Sequence, residues 1–276
     1  MSVLVGAVAE PVAGPVTGPV AEPVEMPVPI AGATGTSIGV VTQAARVADV
    51  AVLILPAEGE PRTGPDRLYV RLARELSRAG LPSLRFDASD GGDCSPGMGG
   101  DPRYDEDAVA AARQLLALHP DAFVAVVAVG RGTVRAAHAW RALARADLPL
   151  SALCLIDPQI EMAVDAPRPG WWRRMFGARA TAQALAGASD GDRDASQPWR
   201  SLPAAVRATR SRLLVASRTQ AASHPALLAL TRDDRDWRRA LRRSRGWLQV
   251  EGAEAGFTEP AKWRELTEWV AARLAA

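Results

Sequence analysis

The sequence contains few of the side chains on which enzymatic and metal chemistry usually depend. Its 276 residues include three histidines, two cysteines and a single lysine. Two cysteines, Cys94 and Cys154, are too few for a disulfide scaffold and are typical of a reducing compartment. His119, His138 and His224 are too few and too scattered for a histidine-rich metal site, so we expect no metal. Any reaction that needs a histidine must use one of these three.

Long apolar runs and early basic residues are also missing. No segment reaches the roughly 18 consecutive apolar residues that a membrane span needs, and we expect no span. The first basic residue is Arg46, which argues against a secretory signal peptide and predicts a cytoplasmic protein. The net charge of +2 provides no overall attraction to nucleic acid, so we expect no nucleic-acid partner.

The N-terminal part of the chain carries a repeat instead. From Pro11 to Pro27 a Pro-Val pair recurs at every fourth residue. Proline removes backbone donors and fixes φ, which disfavours helices and central strands. The repeat therefore predicts a disordered, extended leader over residues 1–45. A docking segment for a protein partner is the alternative interpretation.

Residues 46–276 alternate between short apolar runs and helical periodicity. The runs at Val50–Leu55, Phe123–Val129 and Leu150–Ile156 are apolar on both faces, which is typical of buried parallel strands. Intervening segments have the spacing of amphipathic helices. This pattern predicts an α/β three-layer sandwich with a mostly parallel sheet. Residues 158–210 interrupt the alternation and predict a short cap insertion.

The predicted architecture resembles the α/β-hydrolase fold, and three local segments strengthen the resemblance. Glu60–Val70 follows a strand and opens a helix, Leu84–Ser95 contains Arg-Phe-Asp followed by Gly-Gly-Asp-Cys-Ser, and Glu251–Phe257 follows the last predicted strand. These segments are similar to loops of small hydrolases encoded with the exosortase A and exopolysaccharide system. The resemblance implies a bacterial protein of exopolysaccharide biosynthesis.

The α/β-hydrolase resemblance also implies positions for a nucleophile, an acid and a base. We align the nucleophile of the strand-to-helix turn with Gly132, followed by Thr133. The acid aligns with Thr219 and the base of the final loop with Ala255. None of these residues supplies the required group, although a threonine hydroxyl can act beside a base. His224 is the remaining histidine near this edge of the sheet and is the fallback base.

Three functional hypotheses follow. The first is a non-catalytic or impaired α/β-hydrolase-like protein that binds a small acyl or lipid-like ligand, or a protein partner of the exopolysaccharide system. The second is an active ester or thioester hydrolase with a rearranged site. The third is a nucleotide-binding protein, because Gly130-x-Gly132 follows a strong strand and would place phosphate at Gly132 and Thr133. We expect no bound cofactor under the first two.

Two charged clusters have open interpretations. Asp87, Asp90 and Asp93 could hold a hard cation, but they lack the spacing of a calcium loop and are typical of an exposed acidic loop. A predicted helix near the C-terminus carries an arginine face, which could meet an acidic surface or be solvated and paired with nearby aspartates. These arginines are Arg235, Arg238, Arg239 and Arg242, and the aspartates are Asp233, Asp234 and Asp236.

Overall fold

A computed structural model describes residues 22–32, 35–45, 49–93, 103–160 and 198–276. The described strands form one eight-stranded sheet in the order β1-β2-β4-β3-β5-β6-β7-β8. β1 and β2 are antiparallel to each other and β2 is antiparallel to β4, whereas β4 and all later neighbours run parallel. The strands are β1 (Glu25–Gly32), β2 (Gly35–Thr42), β3 (Val50–Leu55), β4 (Ser83–Phe86), β5 (Phe123–Val129), β6 (Leu150–Ile156), β7 (Arg212–Arg218) and β8 (Trp247–Val250).

Helices cover both faces of the sheet, which confirms the predicted three-layer sandwich. Buried residues of α1 and α7 form one apolar layer, and buried residues of α2 to α6 form the other. The strands β3, β5 and β6 are almost wholly buried, as their continuous apolar runs predicted. The helices are α1 (Leu68–Arg78), α2 (Tyr104–Leu118), α3 (Gly132–Arg145), α4 (Pro198–Ala208), α5 (His224–Asp233), α6 (Arg235–Ser244) and α7 (Pro260–Ala275).

The prediction of a disordered leader over residues 1–45 is wrong for residues 25–32 and 35–42, which are strands. Residues 25–32 and 35–42 form the antiparallel strands β1 and β2 at the edge of the sheet, with Val28 and Ile30 buried in the core. An edge strand tolerates Pro27 and Pro29 because one of its sides has no partner that needs an N–H donor. Gly39 on β2 provides space for this packing, since a Cβ there would lie 2.8 Å from the Ile30 side chain. Residues 1–21 lie outside the described residues.

The predicted cap over residues 158–210 is also only partly described, since residues 161–197 lie outside the structure's described part. Its C-terminal end is α4, which contacts α3, α6 and β7. Leu202 and Val206 of α4 are buried in the same apolar layer as α3. This part of the predicted cap therefore belongs to the helical layer of the sandwich. None of the described helices is long and apolar enough to cross a membrane.

Candidate functional site

The carboxyl ends of the parallel strands meet at one edge of the sheet, where open α/β sheets bind their ligands. The structure brings the predicted site residues to this edge. Gly132 begins the helix after β5, Thr219 follows β7, and Ala255 lies in a short 3₁₀ turn after β8. Because β6 separates β5 from β7, the axes of those two strands lie about 10 Å apart.

The sharp turn between β5 and α3 lies at Gly130, two residues before Gly132, the position aligned with the nucleophile. Gly130 has φ +54°, whereas Arg131 already has helical angles and Gly132 is the first residue of α3. A hydrolase nucleophile occupies a sharp strand-to-helix turn. Gly130, like the aligned position Gly132, has no side chain. Apart from its chain neighbours, no atom of the described residues lies within 4 Å of a Cβ built at Gly130.

Gly132 has a packing role instead. A Cβ at this position would lie 3.2 Å from the carbonyl oxygen of Leu55 and 3.4 Å from the amide nitrogen of Ala57. Glycine thus lets the start of α3 approach the end of β3 closely. Small residues occupy every second position through this turn, at Ala128, Gly130 and Gly132.

Thr133 lies directly after this glycine and is fully buried. Its hydroxyl donates to the Gly130 carbonyl at 2.6 Å and accepts from the Gln159 amide at 3.2 Å. The hydroxyl therefore ties the turn to the segment after β6. These contacts leave it neither the exposure of a nucleophile nor a free donor for a phosphate.

The loop after β3 would supply the second amide donor of an oxyanion hole. Tyr69 of α1 reaches this loop. Its hydroxyl donates to Oε2 of Glu60 at 2.5 Å, and burial together with Glu60 raises the pKa of Tyr69 well above its usual value. This hydrogen bond ties the loop after β3 to α1.

The acid position is occupied by a hydroxyl residue, Thr219, whose amide donates to the Val250 carbonyl at 3.1 Å. A carboxylate does lie nearby, but it comes from the end of β6. Asp157 pairs with Arg218 through the guanidinium, at 2.5 Å and 3.0 Å, and through the backbone amide at 3.4 Å. The Asp157 carboxylate is therefore committed to an arginine rather than to a histidine.

The final loop contains no base at the predicted position. Ala255 is exposed, and Phe257 two residues later is buried with φ +51°, a conformation that costs a non-glycine residue about 1 kcal/mol or more. The Arg218 guanidinium lies 6.0 Å from the centroid of the Phe257 ring. An arginine and an aromatic ring thus lie side by side at the ends of β7 and β8.

The three histidines lie in, or at the end of, three different helices. His224 begins α5 and is buried, with Nδ1 3.2 Å from the Ser217 hydroxyl of β7. His138 lies within α3, and His119 ends α2, where burial lowers its pKa. The fallback base His224 is therefore part of a buried Ser–His contact between β7 and α5.

The acidic loop after β4 is held by two arginines. Asp87 is fully buried and accepts from the Arg62 amide at 2.6 Å, from the Arg62 guanidinium and from the Asp93 amide at 3.0 Å. Asp90 instead forms a bidentate pair with Arg135. Asp93 shares the Arg62 guanidinium with Asp87, at 3.0 Å. All three carboxylates are therefore paired with arginine, and the described residues contain no cluster suited to a metal ion.

The two cysteines do not supply a reactive thiol among the described residues. Cys154 is buried in the middle of β6, and burial raises the pKa of its thiol to about 12. Cys94 lies outside the described residues.

Comparison with solved structures gives a consistent result. Carboxyl esterase 2 from Tuber melanosporum superposes with a TM-score of 0.58 at 14% identity, over 95% of this chain and 88% of that one. Dienelactone hydrolase from Anabaena variabilis gives 0.56 at 14% identity, over 91% and 96%. A serine hydrolase without lid from Xanthomonas campestris gives 0.55 at 16% identity, over 95% and 99%. The chain has the α/β-hydrolase fold. No protein-family model and no curated protein matches the sequence.

The contacts around the Gly130 turn of this α/β-hydrolase fold were not predicted from the sequence. The Asp157–Arg218 pair joins residues 61 positions apart, and the Tyr69–Glu60 hydrogen bond depends on how α1 packs.

Asp87 is the buried centre of the loop after β4, so its substitution should destabilise the fold. We expect Asp87→Asn to lower the free energy of unfolding by about 2–3 kcal/mol, because it removes a buried charge that accepts from Arg62 and from the Asp93 amide. Urea unfolding measures the change. Asp93→Asn is the control, since its carboxylate is 71% exposed and its loss should cost at most about 1 kcal/mol. Equal effects of the two variants would contradict this account.

Proposed function

We propose that this α/β-hydrolase-fold protein is non-catalytic or strongly impaired and binds a small acyl or lipid-like ligand at the carboxyl edge of its sheet. The observation that carries the proposal is the turn at Gly130, which joins the end of a central parallel strand to a helix and has open space above it but no side chain. Removal of the nucleophile or the base from a serine protease costs about a millionfold in kcat. A site without either therefore retains little turnover.

The surroundings of Gly130 support loss of chemistry more than its relocation. The Asp157 carboxylate is engaged by Arg218. A working hydrolase needs a carboxylate that orients its histidine. Here the carboxylate holds the end of β6 to the end of β7 instead.

Ligand binding is supported by the start of α3. Arg131 is exposed beside the open space above Gly130, and it has no ion-pair partner among the described residues. Its amide lies at the positive end of a 14-residue helix, which favours an anionic group. The carboxylate of an acyl ligand fits this combination of guanidinium, amide and helix end. The likeness of residues 84–95 and 251–257 to exopolysaccharide-locus hydrolases supports a role in that system, in the bacterial cytoplasm, with a protein partner there as a further proposal.

Ester turnover tests the loss of catalysis. With p-nitrophenyl butyrate and a short-chain acyl thioester, we expect wild-type protein and His224→Ala to hydrolyse at the same rate, because His224 is buried against Ser217. Initial rates measured with equal amounts of folded protein give the comparison. Gly130→Ala adds a methyl group at the turn but neither a nucleophile nor a base, so it should also leave the rate unchanged. A rate that falls at least tenfold in His224→Ala would establish the rearranged-hydrolase alternative instead.

Ligand binding has a separate test. We expect octanoate to bind wild-type protein and to bind Arg131→Gln about tenfold more weakly, because a charge-assisted hydrogen bond is lost. Isothermal titration calorimetry measures both affinities. Arg113→Gln is the matched control, since Arg113 is an exposed arginine on α2. Unchanged binding in Arg131→Gln, or no binding to the wild type, would refute this part of the proposal.

A further inference from the structure

A second concave site lies at the opposite edge of the sheet, at the amino end of β7. This groove has a volume of about 320 Å³ and lies between the C-terminal part of α4 and α6. Its apolar lining includes the buried side chains of Val206 and Leu213. We call it the arginine groove, because exposed arginines from both sides line it: Arg207 and Arg210 from α4 and the turn after it, and Arg239 and Arg243 from α6.

Most of the positive charge in the arginine groove is uncompensated. Arg207 pairs with Asp236 at 3.0 Å. Among the described residues, Arg210, Arg239 and Arg243 have no carboxylate within 4.0 Å. The whole chain carries a net charge of only +2, so this charge is a local concentration rather than a general property of the surface.

The sequence of α6 determines which side of the helix carries these arginines. Arg239 and Arg243 lie four residues apart, and like charges at that spacing destabilise a helix. Trp237 and Leu241 are buried in the core, so the helix cannot rotate to disperse its arginines. The Trp237 indole also donates to the Trp199 carbonyl at 2.7 Å, which locks α6 onto α4. The two helices and the turn after α4 thus hold Arg210, Arg239 and Arg243 beside one groove, and none of these three is paired with a carboxylate of the described residues.

We propose that the arginine groove binds a small soluble ligand that carries a phosphate or pyrophosphate group. Guanidinium groups bind phosphate oxygens in a bidentate manner, and several converging cations match a multiply charged anion better than a single carboxylate. The volume is at the lower end of the range for small-molecule sites. The buried apolar lining would contact the organic part of the ligand. This site is independent of the proposed function at the carboxyl edge.

A membrane surface fits the groove less well. Interfacial helices insert apolar side chains such as Trp, Phe or Leu into the bilayer. The described residues of α4 and α6 include no exposed large hydrophobic side chain. The arginines that line the groove also face a concavity, which suits a ligand that enters between the helices.

Calorimetric titration with pyrophosphate, using the full-length protein at fixed ionic strength, tests the proposal. We expect saturable binding to the wild type and binding at least about tenfold weaker in Arg239→Gln/Arg243→Gln. The control is Arg235→Gln/Arg242→Gln, which removes the same charge from the same helix outside the groove and should weaken binding less than about threefold. Circular dichroism and thermal unfolding check that both variants remain folded.

Three results would overturn the proposal. Equal weakening in the two double variants would mean that pyrophosphate responds only to the general charge of α6. If pyrophosphate does not bind the wild-type protein, the groove is not a site for a small phosphorylated ligand. Binding to phosphatidylglycerol vesicles without binding to pyrophosphate would assign the arginines to a lipid surface instead.

Discussion

The left-handed backbone at Gly130 is the constraint on which the rest of the candidate site depends. The central strand β5 ends there, and the chain must turn at once into α3. Glycine adopts this conformation without steric cost, and Gly132 then allows α3 to approach the end of β3. The turn therefore joins the end of a central parallel strand to a helix over a single left-handed residue. The turn is followed by Arg131 and the start of α3, and it carries no nucleophilic side chain.

The sequence predicted the central part of this fold because its signal is local. The apolar runs of β3 and β5 matched the observed strands, since a strand buried on both faces needs apolar residues at every position. The strands β1 and β2 were missed because the Pro-Val repeat has the composition of a flexible segment, and only their place at the sheet edge makes proline tolerable. The sequence placed the turn between Gly130 and Gly132, and both glycines fit its left-handed residue. Only the backbone angles distinguish them.

Arginine has opposite roles at the two edges of the sheet. At the carboxyl edge Arg62, Arg135 and Arg218 each bind an aspartate and hold the loops after β4 and β6. At the amino edge three of the exposed arginines that line the groove, Arg210, Arg239 and Arg243, have no such partner among the described residues. Ion pairs that are partly buried stabilise a defined loop conformation, whereas unpaired cations in a concavity favour an external anion. Arginine thus stabilises the loops at the carboxyl edge, whereas at the amino edge it is available to bind an external anion.

Covalent labelling shows whether the protein carries an activated nucleophile. Wild-type protein can be incubated with a fluorophosphonate ester, which reacts with activated serine hydroxyls, and its intact mass then measured. We expect an unchanged mass, because Gly130 supplies no hydroxyl and no histidine follows His224 in the chain. A single adduct that is absent from heat-unfolded protein and from His224→Ala would contradict this expectation.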